Sequence, residues 1–449
     1  MMIVPTKHRH TTSALAIAAA LALPASAIAD THGTTELKAR VAELEQELAR
    51  THAQLEAAQA GEAKAKEKLA AAEPDAGKSD KIAFDVFGGT LNVGGAMRAN
   101  YAVGDYGDDT GAPSRAFGDG GNFSLDTFRV NLDYTRGALL GKLEYRFYDG
   151  SHFLHTGWLG YNFDDGGQVQ VGVNRAPFGP GAYGVSQSWF FDQHYYVGLA
   201  DNMDLGVKYT RPLGNWTFDA AYYASDEGTG AGASRDSARY SYDVVNESGS
   251  GYEERNKINL RAIYHFKDAP IKTDLGASVM YGELKSKGPQ DDGSRWAASA
   301  HMVNKWNNFT LASQLTRYEF DVDAAQPLGT DDRVQFGAFD FPNTVAAKAW
   351  IPAVSLSYQL DTPSIPWLDY VIPYVEYSSI IKDKSSFNNS DLVTLGAAWA
   401  HGGWYIYSEL AFSNGNEFVG GESAFGDRLG ANADDKWQKR FNVNFGYYF

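Results

Sequence analysis

Residues 128–148 read FRVNLDYTRGALLGKLEYRFY. Phe128, Val130, Leu132 and Tyr134 alternate with Arg129, Asn131 and Asp133. After Thr135-Arg136-Gly137-Ala138, Leu143, Tyr145 and Phe147 alternate with Lys142, Glu144 and Arg146. Successive side chains of a strand point to opposite faces, so each run has one apolar face and one charged face. Two such runs around a tight turn make an antiparallel hairpin. The fold is decided by where the apolar faces go: inward to a protein core, or outward to lipid.

The same pattern recurs from Phe84 to the last residue, in TLNVGGAMRANYAV, QVQVGV, NWTFDAAYY, KINLRAIYHF, KTDLGASVMY and WYIYSELAF. Repeated alternating runs of roughly ten residues are the signature of membrane-spanning β-strands. Connections are tight at 135–138, 164–167, 212–215, 267–270 and 401–403. They are long and polar at 104–122, 176–203, 225–254, 321–345 and 415–434. A soluble sandwich or barrel would not sort its loops by length; an outer-membrane barrel does. The expectation for residues 84–449 is an all-β, 16-stranded antiparallel transmembrane β-barrel, with its two ends on the periplasmic side.

The N-terminus carries Lys7 and Arg9, an apolar run from Ser13 to Leu23, and Ala27-Ile28-Ala29. That is a secretory signal peptide over residues 1–29. The chain has no cysteine, so no disulfide supports the exported protein. Aromatics are 14%, glycines number 47 and charged residues are only 21%, which suits strands and turns. The net charge of −16 argues against a nucleic-acid partner. Residues 34–73 differ from the rest: Leu37, Val41, Leu44, Leu48, Thr51 and Leu55 begin a heptad seam. A short periplasmic coiled-coil helix that associates with copies of itself is expected there, ended by Pro74 and Gly77.

With the apolar set toward lipid, the polar set lines a lumen. The basic lumen residues expected are Arg98, Arg129, Lys142, Arg146, Lys208, Lys257, Arg261, Lys272, Arg295, Lys348 and Arg440. The acidic ones are fewer: Asp133, Glu144, Asp219, Asp274, Glu376 and Glu409. A basic wall would concentrate small anionic solutes. The competing reading is that these charges pair across neighbouring strands and set no selectivity. The third long loop, 176–203, holds Tyr183, Trp189, Phe190, Phe191, Tyr195 and Tyr196. A solvated loop has no use for so many large aromatics. It is expected to fold into the lumen as a constriction, with Arg175, Asp192 and His194 as polar contacts. Packing on the rim or against a neighbouring subunit is the alternative.

The segments 128–150 and 155–180, with VGVNRAPFGP leading into the third loop, resemble the phosphate-selective porin O/P family. The N-terminal heptads resemble those of the related DcaP-type porins. The resemblance implies a homotrimer of 16-stranded barrels, each narrowed by its third loop, that takes up anions. Residues 176–203 contain no Arg or Lys, so phosphate specificity is not expected. The last residues, FNVNFGYYF, alternate like a strand that must close the barrel on its first. Tyr447 and Phe449 resemble the C-terminal signal read by the barrel-assembly machinery. The function expected is a passive, mildly anion-preferring porin of the bacterial outer membrane, in contact with its lipid and needing no cofactor or metal. Alternatives are an envelope tether through the coiled coil, or a lipid hydrolase using Ser151 with His152 or His155, or using His265 or His301. The chain is not expected to be an enzyme.

Overall fold

The computed structural model describes residues 82–106, 122–421 and 426–449. The signal peptide and coiled coil expected at 1–29 and 34–73 lie outside the described residues. Sixteen long strands follow in order. They are β1 (Gly89–Tyr106), β2 (Asn122–Arg136), β3 (Leu139–Phe147), β4 (His152–Asn162), β5 (Gln168–Arg175), β6 (Met203–Leu213), β7 (Trp216–Asp226) and β8 (Tyr252–Phe266). The second half is β9 (Lys272–Ser286), β10 (Gly293–Trp306), β11 (Phe309–Asp321), β12 (Lys348–Tyr358), β13 (Tyr370–Lys382), β14 (Ser390–His401), β15 (Trp404–Ser413) and β16 (Gln438–Tyr448). Each pairs antiparallel with the next, and β16 returns to β1 in the register Ala96↔Tyr448 to Gly104↔Arg440. The sheet is a closed barrel, so its long strands have no open edge.

The stretch 128–148 folds as β2 and β3, with Leu132 opposite Leu143 and Asp133 opposite Lys142. Gly137 sits at φ 56°, the left-handed conformation that a two-residue hairpin turn requires and glycine adopts without strain. Asn307 takes the same role in the β10–β11 turn at φ 49°. Apolar side chains on the outer parity are exposed all the way around: Leu143, Leu159, Val171, Val207, Leu275, Leu315, Leu356 and Phe445 among them. Inner-parity polar groups such as Asn100, Asp219, Gln314, Asn442 and Asn444 are buried. This is the inverse of a water-soluble barrel, and such a band of exposed apolar surface far exceeds what a soluble monomer carries.

Four register shifts break the alternation among the described strands, and two of them bury polar pairs on β2 and β4. Arg98 faces Thr127 but Ala99 faces Leu125, so Asp126 is an extra residue. Glu144 faces Thr156 but Tyr145 faces Leu154, so His155 is another. At each of these two bulges a pair of successive polar residues, Asp126-Thr127 and His155-Thr156, is buried.

The closing seam uses both ends of the described chain. The Gly95 N–H donates to the Phe449 carbonyl at 2.8 Å, and the Phe449 N–H to the Gly95 carbonyl at 3.1 Å. Beyond that point the short strand Ile82–Val86 takes over the same edge of β1, pairing Ile82 with Val93 and Val86 with Gly89.

The connections at one end are short. At the other end several are long, and these are not merely polar loops as the sequence reading has them. Residues 333–338 and 341–346 form a hairpin that pairs with Asp243–Val244 in a separate three-stranded sheet. Around it Tyr240, Tyr242, Phe336, Phe339, Phe341 and Phe418 are buried in one cluster with Tyr195, Tyr196, Phe153 and Tyr148. The long-loop mouth therefore has a hydrophobic core of its own.

Candidate channel interior and its third loop

The third long loop, residues 176–202, crosses the inside of the barrel. Its backbone meets inward-facing side chains of strands far apart in sequence. Ser186 Oγ donates to Glu376 Oε2 at 2.6 Å and the Gln187 N–H to Glu376 Oε1 at 2.5 Å. The Trp189 N–H donates to Glu409 Oε1 at 2.8 Å, and its indole Nε1 to Asp126 Oδ2 at 3.2 Å. Gln193 N–H reaches Ser378 Oγ at 3.1 Å, and Gly179 N–H reaches Ser278 Oγ at 3.1 Å. The loop thus touches β2, β9 and β13 to β15.

Inside the loop, Asp192 organises the turn. Its Oδ1 accepts from the His194 N–H at 2.8 Å and lies 2.9 Å from His194 Nδ1, while Oδ2 accepts from the Val185 N–H at 3.0 Å. His194 Nε2 lies 2.8 Å from Thr316 Oγ1 on β11, so one imidazole ties the loop carboxylate to the wall. Gly184, at φ 65°, lies against Asp192: a Cβ there would stand 2.5 Å from Oδ2. The aromatics fill the space around this frame. Phe191 stacks on Tyr195 at 4.2 Å, the Tyr196 hydroxyl donates to the Phe190 carbonyl at 2.5 Å, and Phe190 is fully buried. Arg175 closes the loop base: its Nε donates to Asp201 Oδ1 at 2.8 Å and its guanidinium lies 5.5 Å from the Tyr183 ring. Burial pushes the Asp201 carboxyl up, but Arg175 and His155 outweigh it and hold the group below the usual carboxylate range.

Among the basic residues expected in the lumen, the structure separates three kinds. Arg98, Arg129, Lys142, Lys208 and Arg261 lie on the inner face and are partly exposed. Arg98 pairs with Asp126 at 2.7 Å, Arg129 with Glu144 at 3.4 Å and Arg261 with Asp219 at 2.8 Å, and Lys208 Nζ donates to the Arg175 carbonyl at 2.9 Å. Arg146, Lys257, Arg295 and Arg440 also point inward but are buried. Arg146 binds Glu144 at 2.5 Å, Arg295 binds Glu254, and Lys257 binds Asp204. Arg440 donates to the Phe418 carbonyl at 2.8 Å and covers the Trp189 ring at 5.1 Å. Lys272 opens β9 at the short-turn rim and is exposed. Lys348 is a correction. It shares parity with Trp350, Val354 and Leu356, stands on the outer face, and pairs there with Glu319 across the β11–β12 register. The run starts immediately after a hairpin, and the parity of its first residue is set by that hairpin rather than by its own charge.

Two of the acidic lumen residues have a different place as well. Glu376 and Glu409 are buried acceptors for the third loop. Of the pairings considered for hydrolysis, Ser151 with His152 or His155 does not assemble, whereas His265 lies 2.9 Å from Thr217 Oγ1 and 2.6 Å from Asp274 Oδ1. His152 turns outward to the Tyr145 hydroxyl at 2.6 Å, whereas His155 points inward to Thr156 at 2.8 Å.

Sequence reasoning missed most of one feature. On β13, β15 and β16 the inner parity carries Tyr370, Tyr374, Tyr405, Tyr407 and Tyr448, grouped with Ala398 and Ala400 of β14. WYIYSELAF alternates either way, because tyrosine serves an apolar face or a polar one. The signal was the neighbour: Trp404 and Ile406 already fill the outer parity.

No protein-family model and no curated protein matches the chain. Solved structures do. The outer membrane channel DcaP of Acinetobacter baumannii aligns with a TM-score of 0.53 at 12% identity, over 81% of this chain and 98% of that one. OmpF of Salmonella typhi, in complex with daunomycin, aligns at 0.52 and 13%, over 82% and 100%. OprB of Pseudomonas putida aligns at 0.50 and 10%, over 80% and 94%. At these identities the likeness is one of fold: a closed antiparallel barrel of the kind outer-membrane porins have.

Proposed function

We propose that the chain is an outer-membrane porin, a passive diffusion channel for small hydrophilic solutes with a mild preference for anions. The observation that carries this is the inverted barrel: apolar side chains exposed outside, polar and charged ones inside, on sixteen closed strands. The third loop, hydrogen-bonded across the interior, is the constriction. Solutes pass between it and the wall that bears Arg98, Arg129, Lys142, Lys208 and Arg261. Weak contacts at several such groups let a solute enter and leave without energy input. The long loops face the exterior and the short turns face the periplasm, where residues 34–73 form the coiled coil. Barrels associate as homotrimers, and Tyr447 and Phe449 present the assembly signal.

The test is conductance of the purified barrel in a planar bilayer, with the reversal potential measured across a KCl gradient. Stepwise conductance with modest chloride preference is expected. Preference for potassium would overturn the basic-wall argument, and absence of conductance would overturn the channel.

A further inference from the structure

Toward the short-turn end the interior presents two unlike walls. From β1 through β8 it is charged, with Arg98, Arg129, Lys142, Lys208 and Arg261 partly open to the lumen. On β13 to β16 the short-turn half is a tyrosine wall, and the same inner parity continues with Glu376, Glu409, Arg440 and Asn442. Tyr374 and Tyr405 are its buried base, and Tyr370, Tyr407 and Tyr448 lie over them, partly exposed. Alanines 398 and 400 on the strand between pack among the rings. Tyr405 and Tyr407 sit edge to face at 5.1 Å.

The two walls meet at Tyr448. The Arg129 guanidinium carbon lies 5.1 Å from its ring centroid. Its pairing with Glu144 is long, at 3.4 Å, and its side chain keeps 19% of its surface exposed. The aromatic lining also continues upward. Glu409 accepts the Tyr374 hydroxyl at 2.6 Å and the Trp189 N–H at 2.8 Å, so the tyrosine wall is joined to the loop. Trp189 in turn borders a void of about 20 Å³ shared with Phe191, Tyr195, Tyr196, Phe339 and Phe418.

Aromatic rings facing water are a poor surface for a hydrated inorganic ion and a good one for a flat ring, which stacks or meets them edge to face. A guanidinium beside such a ring supplies charge-assisted hydrogen bonds to an anionic oxygen group. Building on the porin reading, we propose that this interior favours planar aromatic anions, an arene bearing one carboxylate or sulfonate, with the ring on Tyr407 and Tyr448 and the anionic group on Arg129. Preference is for the ring as well as for the charge, and an aliphatic anion of equal size gains only the second contact.

The experiment compares benzenesulfonate with cyclohexanesulfonate, equal in charge and close in size, in swelling of liposomes containing the full-length protein. Methanesulfonate serves as the general permeant. Wild type is expected to pass benzenesulfonate about three- to tenfold faster than the saturated ring, the range that one or two aromatic contacts give. In Tyr407→Leu/Tyr448→Leu the ratio is expected to fall to about one, and in Tyr407→Phe/Tyr448→Phe to persist. The ratio is internal to each sample, so poor assembly of a variant does not mimic the result. Equal rates in wild type, or a ratio unmoved by the leucine pair, would overturn the proposal. If methanesulfonate itself does not permeate, the porin reading fails instead.

Discussion

Replacing Glu376 by alanine removes the principal acceptor of the third loop. Three donors converge on its carboxylate: Ser186 Oγ at 2.6 Å, Gln187 N–H at 2.5 Å and Ser355 Oγ at 2.8 Å. The first two belong to the loop. A buried donor left without a partner costs about 1–3 kcal/mol, so the seated loop loses roughly 2–6 kcal/mol relative to an unseated one that water can solvate. Water entering the space of the missing side chain favours the lower end, at which an unseated population grows about thirtyfold. Glu376→Gln keeps one acceptor oxygen and should shift the loop by about 1 kcal/mol or less. The assay is single-channel recording, with assembly first checked by heat-modifiable gel mobility. Glu376→Ala is expected to show brief steps to a larger conductance that wild type rarely visits, and Glu376→Gln to fall between. An assembled Glu376→Ala barrel with wild-type conductance and noise would refute the idea that these bonds hold the loop across the channel.

Deleting Phe449 removes both hydrogen bonds to Gly95 at the seam, so the assembled fraction should drop severalfold while surviving channels conduct normally; normal assembly would refute the seam's role. Asp340 accepts from the Ala233 N–H at 2.7 Å and the Ser234 N–H at 2.5 Å, joining two long loops. Asp340→Ala should make residues 227–251 markedly more sensitive to limited proteolysis without altering the barrel's own protection. Burial pushes the Glu417 carboxyl from 4.5 up to about 8, against the opposing pull of Arg428. Glu417 lies in the connection between β15 and β16, which packs into the mouth, and that packed connection therefore binds a proton that a released one does not between those values. Packing of the mouth around Glu417 is firmest below about pH 4.5 and weakens as pH rises through about 8. Conductance noise should rise from pH 5 to 9, and Glu417→Gln should flatten that dependence.

Period-two alternation made the strands, their number and most of their faces legible, because each strand repeats its face over several residues. The face of Lys348 was not, since it is the first residue of its run and charge alone does not assign a side. The loop anchors were illegible for another reason. Trp189 and Glu409 are 220 residues apart, and nothing local marks a lumen carboxylate as the acceptor for a backbone N–H. Six aromatics between Tyr183 and Tyr196 did point to a packed loop, because burial of apolar surface is a local demand even when the partner is remote. The same reasoning applied to Tyr240, Tyr242, Phe336, Phe339 and Phe341 would have found the hydrophobic core of the mouth.

That core gives one chain two thermal responses. The barrel wall turns its apolar side chains outward, where lipid rather than water is their solvent, and its strands hold each other by a closed set of hydrogen bonds. The loops above it are held by apolar burial from water, a driving force that carries a large heat-capacity change and fades on cooling. Near freezing, the wall keeps its cohesion while Phe336, Phe339, Phe341 and Phe418 lose part of theirs. Cold is therefore a selective perturbant of the mouth, loosening the loops over a barrel that stays shut along its seam.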